Sequence, residues 1–304
     1  MTERKRRRPE YFLLGAPKCG TTALASYLAM HPALQVSEPK EPHYFCKDLR
    51  VGGLPVASDD EYLARFFPGL DESRASAALD ASVWYLYSQV AVDEILQFQP
   101  NARFLVMLRN PVDMAYSLHS MLHFMRQEDV FDFGRAWSLQ EERRHGRSLP
   151  KDHWIDARCF DYKAACSLGT QLQRLLERVA RDRVHIELQD DLFSNPKDVY
   201  TRVLAFMGIP DDGRTRFPKI NAGRKVNNRL LVAALRSSPS VFAARAVKRL
   251  FGLKSLHVGR VDAPLRADER RLLERAFFEE IKLMENILDR DLQKWLKLTS
   301  TQTA

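Results

Sequence analysis

The sequence predicts an α/β fold of three layers, in which helices cover a central, mainly parallel β-sheet and a helical C-terminal portion packs on it. Two observations carry this prediction. Short apolar runs typical of buried strands alternate with segments of helical periodicity, and no internal repeat interrupts them. The chain has 304 residues, of which 45% are hydrophobic and 28% charged, a composition typical of a large soluble globular domain.

Five short segments are predicted to be strands, and the continuous apolar run at 103–108 is the clearest of them. The predicted strands are 11–14, 34–37, 77–80, 103–108 and 184–188. The helical patterns fall at 21–30, 59–68, 89–97, 112 onward, 134–144, 170–181, 197–207, 229–251 and 269–298. Strands that alternate with helices in this way form βαβ units, whose strands run parallel.

The net charge of +8 is unevenly distributed. Residues 1–9 form a basic tail that is predicted to be disordered, and residues 10–304 are predicted to form a single domain. Within that domain, residues 213–260 contain twelve Lys and Arg but no Asp or Glu, and they are predicted to form a basic loop and helix. Residues 265–298 are predicted to be helical. Within the basic segment, 239–254 has the pattern of an amphipathic helix, and contact with a membrane through it is conceivable but not expected. Because the remaining residues are acidic overall, a surface that coats nucleic acid is not expected either.

The cysteine pattern and the hydropathy of the chain bear on its cellular location and on its need for a metal. Its four cysteines have neither metal-site spacing nor the pattern of a disulfide framework. No apolar run approaches the roughly 20 residues that a membrane-spanning helix needs, and the N-terminus lacks a signal-peptide core. We therefore expect a cytoplasmic protein that requires no metal.

A glycine-containing loop, Gly15-Ala-Pro-Lys-Cys-Gly-Thr-Thr22, joins the first predicted strand to the first predicted helix. Glycines allow the backbone to approach an anion closely, and a helix N-terminus supplies N–H groups and a positive dipole end. The lysine adds a cation and the two threonines add hydroxyl donors. The loop therefore predicts a P-loop-like anion site. The residues expected to bind the anion are Ala16, Pro17, Lys18, Cys19, Gly20, Thr21 and Thr22.

The position of the lysine distinguishes this loop from a loop that binds nucleoside triphosphates. In such loops the lysine follows the second glycine directly, whereas Thr21 follows Gly20 here and Lys18 lies inside the loop. This spacing argues against a kinase or NTPase that uses ATP and magnesium. Because Cys19 lies close to a helix N-terminus, its pKa is expected to be lowered.

A second anion site is predicted where the strand at 103–108 ends. Arg109 follows that strand, and Ser117 lies about two turns into the next helix. A guanidinium group and a hydroxyl can share one phosphate through charge-assisted hydrogen bonds. The alternative for Arg109 is an ion pair with Asp113, four residues further along.

These segments resemble the sulfotransferases that use 3′-phosphoadenosine 5′-phosphosulfate (PAPS), in particular the bacterial and heparan-sulfotransferase-like branch. The resemblance lies in 12–24, 40–45, 80–87 and 104–117, with looser matches at Asp191-Leu192 and 289–295. It implies a P-loop-like three-layer α/β fold and transfer of a sulfuryl group from PAPS to a hydroxyl, less readily an amine, of an acceptor.

The resemblance also assigns the two anion sites. The loop at 16–22 corresponds to the one that binds the 5′-phosphosulfate, and Arg109 with Ser117 to the pair that binds the 3′-phosphate. Arg224 and Lys225 lie where family members close over the nucleotide with a basic loop. They are expected to contact the 3′-phosphate or the acceptor, and a solvated basic surface is the alternative.

The resemblance further implies a carboxylate base, for which there are two candidates. Glu41 matches the base of the heparan 3-O-sulfotransferases and is favoured. Asp80 matches a glutamate that is the base in the heparan N-sulfotransferases, but its side chain is one methylene shorter. The alternatives are pairing of Glu41 with Lys40 and a capping role for Asp80. His43 is expected to assist Glu41 or to be structural, and Lys18 to stabilise the leaving oxygen.

The acceptor is expected to be a small molecule, a glycan, a lipid or a natural product, contacted by the irregular stretch 119–160. Two other functions stay open. A P-loop kinase or NTPase would bind ATP with magnesium. A non-enzymatic anion-binding module would use the basic segment and would need neither Lys18 nor Arg109.

Overall fold

The computed structural model describes residues 6–52, 55–70, 75–220 and 265–296. The chain divides into two compact units, residues 1–218 with 266–304 and residues 219–265. All helices and strands of the described residues belong to the first unit.

The centre of this unit is a sheet of five parallel strands, which confirms the predicted α/β fold. The strands are β1 (Tyr11–Leu13), β2 (Leu34–Val36), β3 (Ala77–Ala81), β4 (Arg103–Leu108) and β5 (Val184–Leu188). Their order is β2-β3-β1-β4-β5. The central strand β1 thus lies between β3 and β4, where the strand order reverses. In open α/β sheets, ligands bind in the crevice beyond the carboxyl ends of the strands at such a point.

The helices predicted within the described residues are present, with differences of a few residues at most of their ends, and there are two further short helices, at 162–166 and 189–194, that the sequence did not predict. The helices of the described residues are α1 (Thr21–Leu28), α2 (Asp59–Phe66), α3 (Ala91–Phe98), α4 (Pro111–Phe124), α5 (Phe133–Ser138), α6 (Gln140–Arg144), α7 (Tyr162–Cys166), α8 (Leu168–Arg178), α9 (Gln189–Ser194), α10 (Pro196–Met207) and α11 (Ala267–Leu288). Short 3₁₀ turns occur at Ala157–Phe160, Arg181–Arg183 and Gln293–Trp295. The last is called the C-terminal turn below. The predicted helix at 229–251 lies outside the described residues.

Two predicted helices are divided in the structure. The segment 134–144 forms α5 and α6. The segment 269–298 forms α11, which ends where Asp289 adopts a left-handed φ of 47°, followed by the C-terminal turn. Within the described parts of the chain, no helix has the length and hydrophobicity needed to cross a membrane.

The core lies on both faces of the sheet, because almost every side chain of the central strands is buried. All of β1 and β3 and most of β4 are enclosed. On one face α8 and α11 pack so closely that a Cβ atom added at Gly169 would lie 2.7 Å from the Glu280 carbonyl oxygen. Only glycine fits at this contact, and it brings α11 against the domain.

The segment between α4 and α8 is fixed by a buried ion pair. The two guanidinium nitrogens Nη1 and Nη2 of Arg143 donate to the two carboxylate oxygens of Glu128 at 2.7 and 2.9 Å. The Tyr162 hydroxyl donates to the same carboxylate at 2.6 Å. Both charged side chains are almost fully enclosed, at 1% and 0% exposure. A bidentate pair with its hydrogen bonds satisfied holds this irregular segment in one conformation.

The last residues of the predicted tail contact the domain. The Arg7 guanidinium donates to the Ala75 carbonyl at 2.5 Å. That of Arg8 lies 4.2 Å from the centre of the Phe98 ring and pairs with Asp59 at 3.3 Å. Residues 7 and 8 are therefore ordered, contrary to the prediction, because cation–π and polar contacts hold them against the domain. Residues 1–5 lie outside the described part of the chain.

Candidate active site

The loop between β1 and α1 has the backbone that an anion site requires. Gly15 has a φ of 139°, and a Cβ atom there would lie 2.3 Å from the Val83 carbonyl oxygen. Ala16 donates its N–H to Met107 at 2.9 Å, so the loop continues the contact of β1 with β4. Gly20 caps α1 in a left-handed conformation, and no acidic residue occupies the first turn of that helix. The N–H groups at this helix end are therefore directed to a site that favours negative charge.

The Lys18 carbonyl oxygen is the point where other segments meet this loop. Lys18 has a φ of 65°, and its carbonyl accepts from Arg109 Nη1 at 3.1 Å and from Gln189 Nε2 at 2.8 Å. Arg109 comes from the end of β4 and Gln189 from the start of α9. The structure thus brings Arg109, from the second predicted anion site, to the loop. Gln189 lies 171 residues from Lys18 and has no local motif that would identify it from the sequence.

The predicted alternative partner of Arg109 is engaged elsewhere. The Asp113 carboxylate accepts from Arg270 Nη2 of α11 at 2.8 Å. Ser117 lies half-buried on α4, and its hydroxyl has no hydrogen-bond partner among the described residues. The guanidinium of Arg109 and the hydroxyl of Ser117 are therefore both suited to bind an anionic group.

The turn that follows Arg109 is tied to the C-terminal turn. The Asn110 side chain accepts from the Val112 N–H at 3.0 Å, which caps α4, and it donates to the Trp295 carbonyl at 3.1 Å. The Trp295 indole N–H donates to Asp190 of α9 at 2.9 Å. The C-terminal turn thus connects the segment that carries Arg109 with the helix that begins at Gln189.

The predicted low pKa of Cys19 is wrong. Its side chain is fully buried, with Sγ 3.7 Å from the Met114 sulfur. Burial raises the pKa of the Cys19 thiol to about 12, although the charge of Arg109 opposes this shift. The desolvation of a thiolate outweighs the helix dipole here. Cys19 is therefore a small apolar residue beneath the loop.

Glu41 lies between two basic partners, Lys40 and His43. The predicted pairing with Lys40 and the predicted assistance by His43 therefore involve the same carboxylate. Lys40 Nζ donates to Oε1 at 2.8 Å, and His43 Nε2 lies 3.1 Å from Oε2. The Glu41 side chain is 30% exposed. Partial burial alone would raise its pKa, but the hydrogen bond to His43 and the charge of Lys40 lower the pKa of Glu41 to about 2. Glu41 is thus an ionised, partly accessible carboxylate at neutral pH.

Asp80 is buried at the end of β3, and both of its carboxylate oxygens are occupied. The hydroxyls of Tyr62 and Tyr85 donate to Oδ2 at 2.7 and 2.9 Å, and the Ser82 hydroxyl donates to Oδ1 at 2.7 Å. Its exposure is 0%. Burial raises the pKa of Asp80, although the three hydroxyls oppose the shift. A base has to reach the acceptor, and this carboxylate has no exposed oxygen. The geometry therefore differs from the predicted catalytic role.

Asp80 is connected to Glu41 through one short network. The Ser82 oxygen that donates to Asp80 also accepts the His43 backbone N–H at 3.0 Å. His43 is buried, has a φ of 53°, and its Nδ1 has no partner in the described structure. Asp80 therefore supports the backbone of the residue that in turn contacts Glu41.

Several predicted residues and features are not tested by this geometry. Arg224, Lys225 and the helix at 239–254 lie outside the described residues. Among the described residues there is no group of three or more His, Cys, Asp or Glu side chains arranged to hold a metal ion. The expected independence of metal stays a prediction.

The geometry defines an α/β domain with a loop suited to an anionic group at the switch point of a parallel sheet, and with an ionised carboxylate, Glu41, in the segment after β2. Residues 8–220 match the sulfotransferase domain family. The chain belongs to that family, which confirms the resemblance found in its sequence motifs.

Individual relatives share parts of the chain. Human (Homo sapiens) carbohydrate sulfotransferase 15 is 31% identical over 147 residues, or 36% of this chain and 26% of that protein. The bifunctional heparan sulfate N-deacetylase/N-sulfotransferase 2 of Bos taurus is 30% identical over 217 residues, or 67% of this chain and 22% of that protein. The chain thus spans about a quarter of the length of these curated relatives. The crystal structure of a sulfotransferase from Alicyclobacillus acidocaldarius has the same fold, with a TM-score of 0.69 at 24% identity, covering 96% of this chain and 100% of that chain.

Proposed function

We propose that this protein transfers the sulfuryl group of PAPS to a hydroxyl group of an acceptor and releases adenosine 3′,5′-bisphosphate. The observation that carries the proposal is the hydrogen bond from Arg109 to the Lys18 carbonyl. It joins the anion-binding loop after β1 to the cation after β4, as a ligand with two separate anionic groups requires. Membership of the sulfotransferase domain family supports the same donor.

The donor is divided between the two loops. The N–H groups at the start of α1, with Lys18, Thr21 and Thr22, bind the 5′-phosphosulfate. Arg109 and Ser117 bind the 3′-phosphate, because a guanidinium group and a hydroxyl both donate to phosphate oxygens. A nucleoside triphosphate with magnesium would not use a second phosphate site at the end of β4.

The transfer step needs a proton acceptor and a stabilised leaving group. The acceptor oxygen forms a bond to sulfur while the bond between sulfur and the bridging phosphate oxygen breaks. The electron pair of that bond stays on the phosphate, where the Lys18 cation balances the charge. Glu41 takes the acceptor proton, because it is the partly accessible carboxylate of the pair and is held by Lys40 and His43.

The acceptor class is proposed from the relatives and from one exposed surface. The relatives are named for carbohydrate and heparan sulfate substrates, and we propose a glycan hydroxyl. In the segment between α4 and α8, the Trp154 ring is 42% exposed, and it lies beside Gly52, where an added Cβ would be 3.0 Å from the ring. A fixed, exposed indole suits contact with a sugar ring. A role for nucleic acid is not proposed, and the cytoplasmic location stays a prediction.

The donor is tested by thermal shift with adenosine 3′,5′-bisphosphate and, separately, with ATP and magnesium. At about 100 times its Kd, a ligand stabilises the folded protein by roughly 2.7 kcal/mol. We expect stabilisation by the bisphosphate and its loss in Lys18→Ala and Arg109→Ala. The control is Arg178→Ala, which removes a surface arginine paired with Asp93. Stabilisation by ATP and magnesium alone would favour the kinase or NTPase alternative and contradict the proposal.

A further inference from the structure

The Lys18 carbonyl accepts from two donors that follow different strands, and only one of them has a second role in the proposed reaction. Arg109 donates to it at 3.1 Å and also binds the 3′-phosphate in the proposed function. Gln189 donates to it at 2.8 Å and carries no charge with which to bind phosphate. We propose that Gln189 is a positioning residue that fixes the conformation of the donor loop through this carbonyl. The inference rests on the proposed function of that loop.

The loop needs such support because of its backbone. Lys18 has a φ of 65°, in the left-handed region that is unfavourable for residues with a Cβ atom. The alternatives to this conformation would turn the Lys18 carbonyl and the N–H of the next residue away from their present directions. Since N–H groups of the loop bind the anion, a change at Lys18 would alter the site itself. A donor fixed on the carbonyl opposes that change.

Gln189 is placed to act in this way. It is the first residue of α9, directly after β5, and only 8% of it is exposed. The helix approaches the loop at Gly20, where an added Cβ atom would lie 3.5 Å from Gln189 Cγ and 3.4 Å from Leu192 Cδ2. These are van der Waals distances, so α9 packs against the N-terminal end of α1 at Gly20. The amide of Gln189 therefore reaches Lys18 from a buried, packed position.

The helix that carries Gln189 is itself fastened. Asp190 accepts the Trp295 indole N–H at 2.9 Å, and the Trp295 carbonyl accepts from Asn110 at 3.1 Å. Asn110 is the neighbour of Arg109. The C-terminal turn thus holds the two segments that donate to Lys18 in a fixed relation. A hydrogen bond between fixed partners loses little entropy when it forms, so its contribution to the loop is retained.

The test compares Gln189→Ala and Gln189→Glu with Gln171→Ala. Gln171 is a matched control, because it is also buried and donates to backbone carbonyls, at 3.0 Å to Ala164 and 3.2 Å to Ala165. Gln189→Glu keeps the shape of the side chain but loses the donor. The affinity for adenosine 3′,5′-bisphosphate is measured by isothermal titration well below the unfolding midpoint, together with KM for PAPS and kcat.

We expect Gln189→Ala to bind the bisphosphate about five- to tenfold more weakly, as the loss of one hydrogen bond predicts. Gln189→Glu should bind it more weakly still, because its carboxylate cannot donate and also repels the anionic ligand. KM for PAPS should rise in parallel, whereas Gln171→Ala should lower the unfolding midpoint and leave the affinity within about twofold. Wild-type protein that does not bind the bisphosphate would refute the proposed function, and this inference with it. Wild-type binding with unchanged affinity in both Gln189 variants, or equal weakening in Gln171→Ala, would overturn the positioning role alone.

Discussion

Replacement of Asp80 and of Glu41, the two candidate bases, by the corresponding amide should show which of them takes the acceptor proton. In Asp80→Asn, the amide oxygen can accept from Tyr62 and Tyr85 in place of Oδ2. The amide N–H₂ then faces Ser82, whose oxygen already accepts from the His43 backbone at 3.0 Å. The proton of the Ser82 hydroxyl loses its acceptor, which costs about 1–3 kcal/mol for a buried donor.

The removal of a buried charge offsets part of this cost. Burial raises the pKa of Asp80, so its ionised form is less favourable in the folded protein than in water. We therefore expect Asp80→Asn to lower the free energy of unfolding by about 1–2 kcal/mol and the midpoint by roughly 2–6 °C. Measured well below that midpoint, the rate of transfer should stay within about threefold of wild type, because Asp80 does not touch the acceptor.

Glu41→Gln, in contrast, should strongly reduce the rate of sulfuryl transfer. An amide cannot take a proton, and we expect the rate to fall by about a hundredfold or more. This variant also loses stability, because the pKa of Glu41 lies at about 2 in the folded protein against an ordinary 4.5. A lowered carboxylate pKa stabilises the fold above pH 4.5, and this contribution disappears as the pH falls toward 2. The stability difference between wild type and Glu41→Gln should therefore shrink over that interval.

Both outcomes are followed by denaturant unfolding and by transfer from PAPS to a glycan acceptor. Glu141→Gln is the control, because its carboxylate is 69% exposed and pairs with Arg144 on the surface. Loss of transfer in Asp80→Asn together with activity in Glu41→Gln would identify Asp80 as the base. Full activity in both would mean that neither carboxylate takes the proton.

Three further predictions concern the loop and the core. Gly15→Ala places a Cβ atom 2.3 Å from the Val83 carbonyl oxygen. We therefore expect thermal-shift assays to find neither wild-type stability nor bisphosphate binding. Retention of both would show that the loop can relax. Glu128→Gln breaks the buried pair with Arg143, and denaturant unfolding should show a loss of about 3–5 kcal/mol, which a loss below about 1 kcal/mol would contradict. Because the pKa of Cys19 is about 12, a thiol reagent at neutral pH should leave Cys19 unmodified in the native protein by mass spectrometry, and rapid labelling would refute its burial.

The sheet was predictable because each strand is specified by its own residues. The runs at 11–14 and 104–108 are apolar throughout, as is typical of buried parallel strands, and no distant residue is needed to interpret them. The loop at 15–22 was predictable for the same reason, since its glycines and its helix start follow one another in the chain. Local patterns of this kind carry both the fold and the position of the anion site.

The partners of individual side chains were not predictable, because they are distant in sequence. Arg109 and Asp113 have the spacing of a helical ion pair, but Arg270, which lies 157 residues from Asp113, takes that carboxylate instead. The pKa of Cys19 depends on how completely the fold covers the sulfur. Its position near a helix N-terminus, from which a lowered pKa was expected, gives no information on burial. Gln189 had no signal at all, since a glutamine after a strand has no function until the fold brings it to Lys18.

The C-terminal turn has a consequence for the order in which the site is completed during synthesis. Domains fold as units while the chain is made from its N-terminus, and the loop at 15–22 is made before Arg109, Gln189 and the C-terminal turn. Trp295, which fastens the helix that begins at Gln189, is made long after Lys18 and Arg109. A nascent chain that has not yet reached Trp295 therefore contains every residue of the anion-binding loop, but it lacks the contact that fixes them. Full affinity for the donor should arise only after the C-terminal turn has been made.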